Sequence, residues 1–140
     1  ASDVDDDLPA FDGRAVEGLN GLGGLLVVLH LHETETAAAA GLTIRDHLRT
    51  IRGALHGGTL MALADAVGGT AALINLPEGA ATATIESKTN FFAAGKSGTV
   101  RAEATPLHKG RSTTVWQTRV TDESGKLLSL TIQTQAVLRK

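Results

Sequence analysis

Cysteine is absent from this 140-residue chain. That excludes a disulfide framework, a thiolate nucleophile and Cys-ligated zinc, and it fits a reducing compartment, so the expected location is cytoplasmic. A strong charge of either sign is also missing. Lys and Arg number 13 against 15 Asp and Glu, a formal net charge of −2, so no basic field exists to draw in nucleic acid or an anionic membrane. Long apolar runs are lacking too: stretches such as Leu25 to Leu29 fall short of the roughly 20 residues a membrane helix needs. No basic segment followed by an apolar one opens the chain, so a soluble protein that is not exported is expected. Nothing resembles Gly-x-Ser-x-Gly or a P-loop, which argues against a serine hydrolase or a nucleotidase. No internal repeat or low-complexity block stands out beyond AAAAG at Ala37 to Gly41. What is present is 42% hydrophobic residues, in a length suited to one domain with a real core.

The opening ASDVDDDLPAFD carries Asp3, Asp5, Asp6, Asp7 and Asp12 and reads as a solvated, frayed stretch, so residues 1–20 are expected to be a flexible acidic segment and 21–140 a single domain. Leucine and β-branched content predicts a first strand over about Leu22 to Glu35 and a second around Leu42 to Leu48. From Gly57 to about Asn75, Leu60, Leu63, Ala64, Val67, Ala71 and Ile74 recur at helical spacing with no proline, which predicts one helix ended by NLPEG. ATATIESKTNFFA, TVRAEATPL, STTVWQTRVT and LLSLTIQTQAVL then read as strands separated by glycine turns. In the last of these, Leu128, Leu130, Ile132, Thr134, Ala136 and Leu138 fall on one face and Ser129, Thr131, Gln133 and Gln135 on the other. Turns at regular intervals predict an antiparallel meander, and the whole is an α+β fold with the sheet wrapped on the helix.

Within the predicted helix, Asp65 stands out. Ala62, Ala66, Gly68, Gly69 and Ala72 leave almost no polar face, so the helix is expected to be buried on most sides. A carboxylate there needs a partner or a chemical role, because taking an ion out of water costs several kcal/mol. Asp65 lies two turns, about 12 Å, beyond the helix start and is no N-cap. Ahead of it, Gly57 and Gly58 sit where the unpaired amides of the first turn and the positive end of the helix dipole can hold an anion or a polarised carbonyl. A His-Gly-Gly at a helix start can equally be a turn and nothing more.

The stretch GALHGGTLMALAD resembles the signature of the hotdog-fold acyl-CoA thioesterases, in the branch that includes the phenylacetate-degradation and hydroxybenzoyl-CoA types. In that family a His-Gly-Gly opens the central helix and an acidic residue follows nine positions after the His, as Asp65 follows His56 here. TIESKTNFFAAGKSG and HKGRSTTVWQTRVTDESGKLLS resemble the family's later strands, so the likeness spans about Leu42 to Leu138. It implies a hotdog fold, an antiparallel sheet of about five or six strands around one long helix, and hydrolysis of an acyl-CoA with an aromatic or medium-sized acyl group. It implies that the Gly57 amide holds the oxyanion, that His56 positions the turn, and that Asp65 acts as nucleophile or general base. Thr84 aligns with a hydroxyl that orients water in some members. Thr50 stands where the family usually has Asn or Gln, and a hydroxyl cannot reproduce amide geometry. Family sites lie at a subunit interface, with the acidic residue facing strand residues of the partner, so a dimer or a dimer of dimers is expected. CoA enters as part of the substrate, and no separate cofactor is expected.

Phosphates on CoA call for cationic, amide-rich turns. The family uses the loop that is HKGRS here, His108, Lys109, Gly110, Arg111 and Ser112, near the nucleotide; a solvated hairpin is the alternative. Lys88 and Lys96 are weaker candidates of the same kind. His30 and His32 alternate on a predicted strand without a convincing third ligand, so no metal site is expected. Trp116, Phe91 and Phe92 read as core or interface residues, with a Phe lining the acyl pocket as the alternative. Two other functions compete: a non-catalytic acyl-CoA-binding hotdog module, and a hydratase using Asp46 and His47.

Overall fold

The central helix, α1, runs Gly57–Ile74 in the computed structural model, which describes residues 15–17, 28–31 and 38–140. It opens on His56, whose backbone is extended and whose ring Nδ1 accepts the Gly58 N–H at 3.0 Å, so an imidazole does the work usually given to a Ser or Asp side chain. It closes on Asn75, whose Nδ2 donates to the Ala71 carbonyl at 2.7 Å, and Pro77 follows, where the helix cannot continue. By length and composition alone α1 could cross a membrane, with a mean hydropathy of 1.4. Here it is packed on the sheet, with Leu60, Leu63, Val67 and Ala71 buried.

Among the described residues, seven strands make one antiparallel sheet: β1 (Ala15–Glu17), β2 (Val28–Leu31), β3 (Ala38–Thr43), β4 (Ala81–Phe91), β5 (Thr99–Lys109), β6 (Thr113–Thr121) and β7 (Leu127–Leu138). Their spatial order is β1-β2-β3-β5-β6-β7-β4. With α1 lying against β3 through β7, this is the α+β hotdog architecture that the sequence predicts, with more strands than the expected five or six. Residues 1–14 and 18–27 lie outside the described residues, as do 32–37, and with them the acidic run and most of the first predicted strand. Within the expected N-terminal segment, Ala15–Glu17 pair with β2.

Two expectations need correction. The second strand is Ala38–Thr43, not Leu42 to Leu48, and Asp46–Leu48 form a single 3₁₀ turn. Alanine is a weak strand former, yet Ala38, Ala39 and Ala40 are at most 5% exposed. Their small side chains suit a strand that lies close beneath a helix. The meander is also interrupted. β5, β6 and β7 are sequential neighbours, but β4 lies at the far edge, paired with β7 from Ala81↔Leu138 to Phe91↔Ser129. The link from β4 to β5 therefore crosses the end of the sheet, pinned where Phe92 N–H donates to the Leu128 carbonyl at 2.8 Å and Leu55 N–H to the Gly95 carbonyl at 2.7 Å. A hypothetical Cβ on Gly95 would sit 3.0 Å from Leu128 Cδ1, so glycine permits this close passage.

β7 alternates as predicted, but its polar face is the one turned inward. Ser129, Thr131 and Gln133 are fully buried and Gln135 nearly so, whereas Leu130, Ile132 and Thr134 on the other face are half-buried. β4, by contrast, is exposed along most of its length, as befits an edge strand with one neighbour.

Candidate active site

Four backbone N–H groups at the start of a helix have no partner inside it. In α1 three of them are satisfied. His56 N–H donates to the Leu48 carbonyl at 2.8 Å, Gly58 N–H to His56 Nδ1 at 3.0 Å, and Thr59 N–H to the His56 carbonyl at 2.9 Å. The Gly57 N–H is left open among the described residues. Because Nδ1 accepts, the His56 ring carries its proton on Nε2 when neutral, an assignment made from the hydrogen bond. A Cβ on Gly57 would stand 3.3 Å from Phe91 Cε1 and Cζ. The Phe91 ring, half exposed at the end of β4, therefore flanks the open amide, as an acyl-pocket wall would.

Asp65 lies on the same helix, about 12 Å further along its axis. In the single chain it is exposed, on an outward stripe with Met61 and Leu73, while Leu60 and Leu63 turn to the sheet. One oxygen, Oδ1, accepts a hydrogen bond from Gln133 Nε2 of β7. Thr84 is tied to the same strand, its Oγ1 accepting from Gln135 Nε2 at 2.8 Å. Gln133 and Gln135 share a face of β7, so Asp65 and Thr84 are anchored about 7 Å apart along it.

Thr50 lies in the turn before α1, where its Oγ1 accepts the Arg52 N–H at 3.3 Å and its N–H donates to the Ala54 carbonyl at 2.7 Å. Its hydroxyl is thus spent on its own turn. The HKGRS loop closes the β5–β6 hairpin, with Gly110 N–H on the Thr113 carbonyl at 2.9 Å and the Ser112 carbonyl accepting Val137 N–H at 2.8 Å. Lys109 Nζ donates to Asn75 Oδ1 at 2.8 Å and sits 5.8 Å from the centre of the Trp116 ring. His108, Arg111 and Ser112 are exposed around it. The loop therefore docks at the C-terminal end of α1, whereas Gly57 is at the N-terminal end. The helix has 18 residues, so within one chain the two sets are about 27 Å apart.

The remaining candidates do not converge on this site. Lys88, on exposed β4, donates Nζ to Asn90 Oδ1 at 2.5 Å, and Lys96 is exposed on the link to β5. Asp46 and Arg49 form a 3.7 Å ion pair on the 3₁₀ turn. Trp116 is fully buried, its Nε1 donating to Thr114 Oγ1 at 2.9 Å. His30 lies in β2 and His32 outside the described residues, among which no three metal-ligating side chains cluster. Gln133 is the residue that sequence reasoning passed over. Its signal was available: four polar residues alternate on one face of β7 and none is charged, unusual for a face turned to water.

One antiparallel sheet around one helix, with an open glycine amide at the helix start and a carboxylate two turns on, is the build of a hotdog thioester hydrolase. The chain belongs to the thioesterase superfamily, whose family model matches residues 52–129, over half of its length. The 1,4-dihydroxy-2-naphthoyl-CoA hydrolase of Listeria monocytogenes is 32% identical over 103 residues, 74% of this chain and 84% of that protein. The Escherichia coli protein of the same name is 28% identical over 128 residues, 88% and 94% of the two chains. Among solved structures, a thioesterase of Haemophilus influenzae superposes with a TM-score of 0.76 at 28% identity, covering 81% of this chain and 78% of that one.

Proposed function

We propose that this thioester hydrolase cleaves an acyl-CoA, with an aromatic or medium-sized acyl group, to the free acid and CoA. The observation that carries the reading is the open Gly57 amide on the same helix as an exposed carboxylate, Asp65. The names of the Listeria and Escherichia relatives support an aromatic acyl-CoA, in keeping with the branch that the His56 motif resembles, and the Phe91 ring beside Gly57 supports an apolar acyl pocket.

The thioester carbonyl oxygen accepts from Gly57 N–H, which stabilises the oxyanion as the carbonyl carbon is attacked; such a donor contributes about 3 kcal/mol. His56 holds Gly58 and so fixes the turn. Because Asp65 lies about 12 Å along α1 from the Gly57 of its own chain, the carbonyl held by Gly57 of one copy is met by the Asp65 of the other, which acts in one of two ways. As general base it takes a proton from water while the water oxygen bonds to the acyl carbon; the C–S bond then breaks and the CoA thiolate is protonated. As nucleophile its oxygen bonds to the acyl carbon, expels the thiolate and forms a mixed anhydride that water hydrolyses. Thr84 orients that water. Lys109 and Arg111 hold CoA phosphates, with His108, Gly110 and Ser112 lining the same turn.

The distance between the two ends of α1 supports a site shared by two copies of the chain. In a two-fold pairing that runs the helices antiparallel, the HKGRS loop of one copy comes beside the Gly57 turn of the other. The exposed β4 edge and the stripe of Met61 and Leu73 around Asp65 suit such an interface, so the working unit is a dimer or a dimer of dimers, acting in the cytoplasm.

The test is thiol release from a panel of aromatic and aliphatic acyl-CoA esters, with sedimentation of the same sample. Turnover of aromatic esters by an oligomer is expected. Hydrolysis of simple thioesters with no CoA ester turned over would overturn the CoA assignment, and full activity in a monomer would overturn the shared site.

A further inference from the structure

The two buried glutamines of β7 are treated differently by their surroundings. Gln135 is satisfied at both ends: Nε2 donates to Thr84 Oγ1 at 2.8 Å, and Oε1 accepts from Thr82 Oγ1 at 3.2 Å. Gln133 is fully buried and donates Nε2 to Asp65 Oδ1, while its Oε1 has no hydrogen-bond partner among the described residues. A buried carbonyl oxygen left unpaired is a standing cost, tolerated where the group serves another purpose.

The far end of that amide is lodged against α1. A Cβ on Gly68 would stand 2.0 Å from Gln133 Oε1 and 3.1 Å from Thr118 Oγ1, another buried polar atom without a partner. Gly68 lies one helical turn after Asp65, on a neighbouring face. The missing side chain is the space that lets the amide lie under the helix and turn its N–H toward the carboxylate. Since an ionised carboxylate only accepts, the nitrogen must be the end that faces it.

We propose that Gln133 is a positioning residue for thioester hydrolysis. Its Nε2–H fixes the orientation of the Asp65 carboxylate, and Gly68 is the gap that permits this. The proposal rests on the reading in which Asp65 reacts. A carboxamide suits the task because it donates at every pH and carries no charge to neutralise the base. With Oδ1 held, Oδ2 has no partner among the described residues and is left to meet water or the acyl carbon.

Gln133→Met keeps the length of the side chain and removes the donor. With the best acyl-CoA of the panel, kcat is expected to fall roughly ten- to hundred-fold, the order expected when a reacting group loses alignment. KM should stay within about threefold. Gly68→Ala should displace the amide and lower kcat in the same way, and the double variant should be no worse than Gln133→Met alone. In an Asp65→Asn background Gln133→Met should cost nothing further. A folded Gln133→Met with near-normal kcat would overturn the proposal. So would additive losses with Gly68→Ala, or a further loss on top of Asp65→Asn. Should Gln133→Met not fold, Gly68→Ala decides by whether kcat falls while KM holds. The two readings fail separately: an active Asp65→Asn removes Asp65 as the reacting group, whereas an inactive Asp65→Asn beside a silent Gln133→Met removes the positioning role alone.

Discussion

The two sides of α1 are packed by opposite rules. Toward β3 and β5, Leu60, Leu63, Val67 and Ala71 meet Ala38, Ala40, Val100 and Ala102, all of them buried and apolar. Toward β7 the helix offers Gly68, and the sheet answers with Ser129, Thr131 and Gln133, three buried polar side chains. On the first side the stability of the fold comes from apolar area removed from water. On the second, Thr118 Oγ1, Ser129 Oγ and Gln133 Oε1 are buried without hydrogen-bond partners among the described residues, each at a cost of about 1–3 kcal/mol. A core selected for stability alone would fill that strip with leucine and valine. The reacting carboxylate of the proposed mechanism is held from that strip, so the less stable side is the one that carries the chemistry.

Asp65→Asn should show the largest effect on this division. The variant keeps size and most hydrogen-bonding capacity, so kcat is expected to drop by roughly 10² to 10⁴, the contribution of a positioned acid–base group. Because Asp65 is exposed, Tm should hardly move, and calorimetry should still detect binding of a non-hydrolysable acyl-CoA analogue. Thiol-release kinetics beside a melting curve measure both halves, and equal turnover in the two proteins would sink the catalytic assignment. Leu63→Ala is the mirror experiment. Leu63 is fully buried, so its truncation should cost about 2–5 kcal/mol of stability in urea, with kcat per folded molecule close to normal. A Leu63→Ala enzyme that keeps its stability but loses turnover would erase the distinction between the two sides.

How much of this was legible in the sequence differs in the same way. The strands β4 to β7 and the helix could be read almost to the residue, because turn glycines and apolar spacing mark them locally. The His56 to Asp65 spacing and its likeness to a thioesterase signature led to the family. β3 was misplaced, since a run of alanines carries no strand signal until a helix is known to lie above it. The edge position of β4 is set by its pairing with β7, a long-range property that the glycine link after it does not encode. A smooth helix looks buried on most sides in isolation, and only the packed sheet shows which stripe, that of Met61, Asp65 and Leu73, a single chain leaves outside. Gln133 was on the right face for its role, but alternation alone cannot say which face of a strand turns inward.

A smaller effect is expected from Thr118→Val, which swaps a hydroxyl for a methyl at nearly constant volume. Where a buried hydroxyl has a partner, this change costs stability; where it has none, removing it is neutral or favourable. Thr118 Oγ1 has none, so the urea midpoint should stay level or rise by up to about 1 kcal/mol equivalent. A clear drop would mean that the notch beside Gly68 holds a buried water that the hydroxyl serves, and the polar strip would be better satisfied than the comparison assumes.

The smallest expected effect lies away from both sides of α1, in the β6–β7 turn, and serves as the control. Asp122 Oδ1 accepts from Ser124 Oγ at 2.6 Å, Ser124 N–H at 2.9 Å and Lys126 N–H at 3.0 Å. The Ser124 hydroxyl above all, joined by the Lys126 and Ser124 amides and the Lys126 charge, holds its carboxyl below the usual carboxylate range, against desolvation, the next largest influence after the hydroxyl. A folded-state pKa that is depressed contributes stability above the unfolded value, about 3.9, and loses it as pH falls through the lower folded value. Asp122→Ala should therefore lower Tm slightly at neutral pH, and the gap to wild type should narrow as pH falls below the usual carboxylate range. Turnover should be unchanged throughout, since the turn touches neither the Gly57 amide nor β7's polar face. A gap of the same size at both pH values would place the turn's contribution in its neutral hydrogen bonds. A loss of turnover would mean that the β6–β7 hairpin governs how β7 presents Gln133, and the division between structural and chemical sides would then run along the strand rather than across the helix.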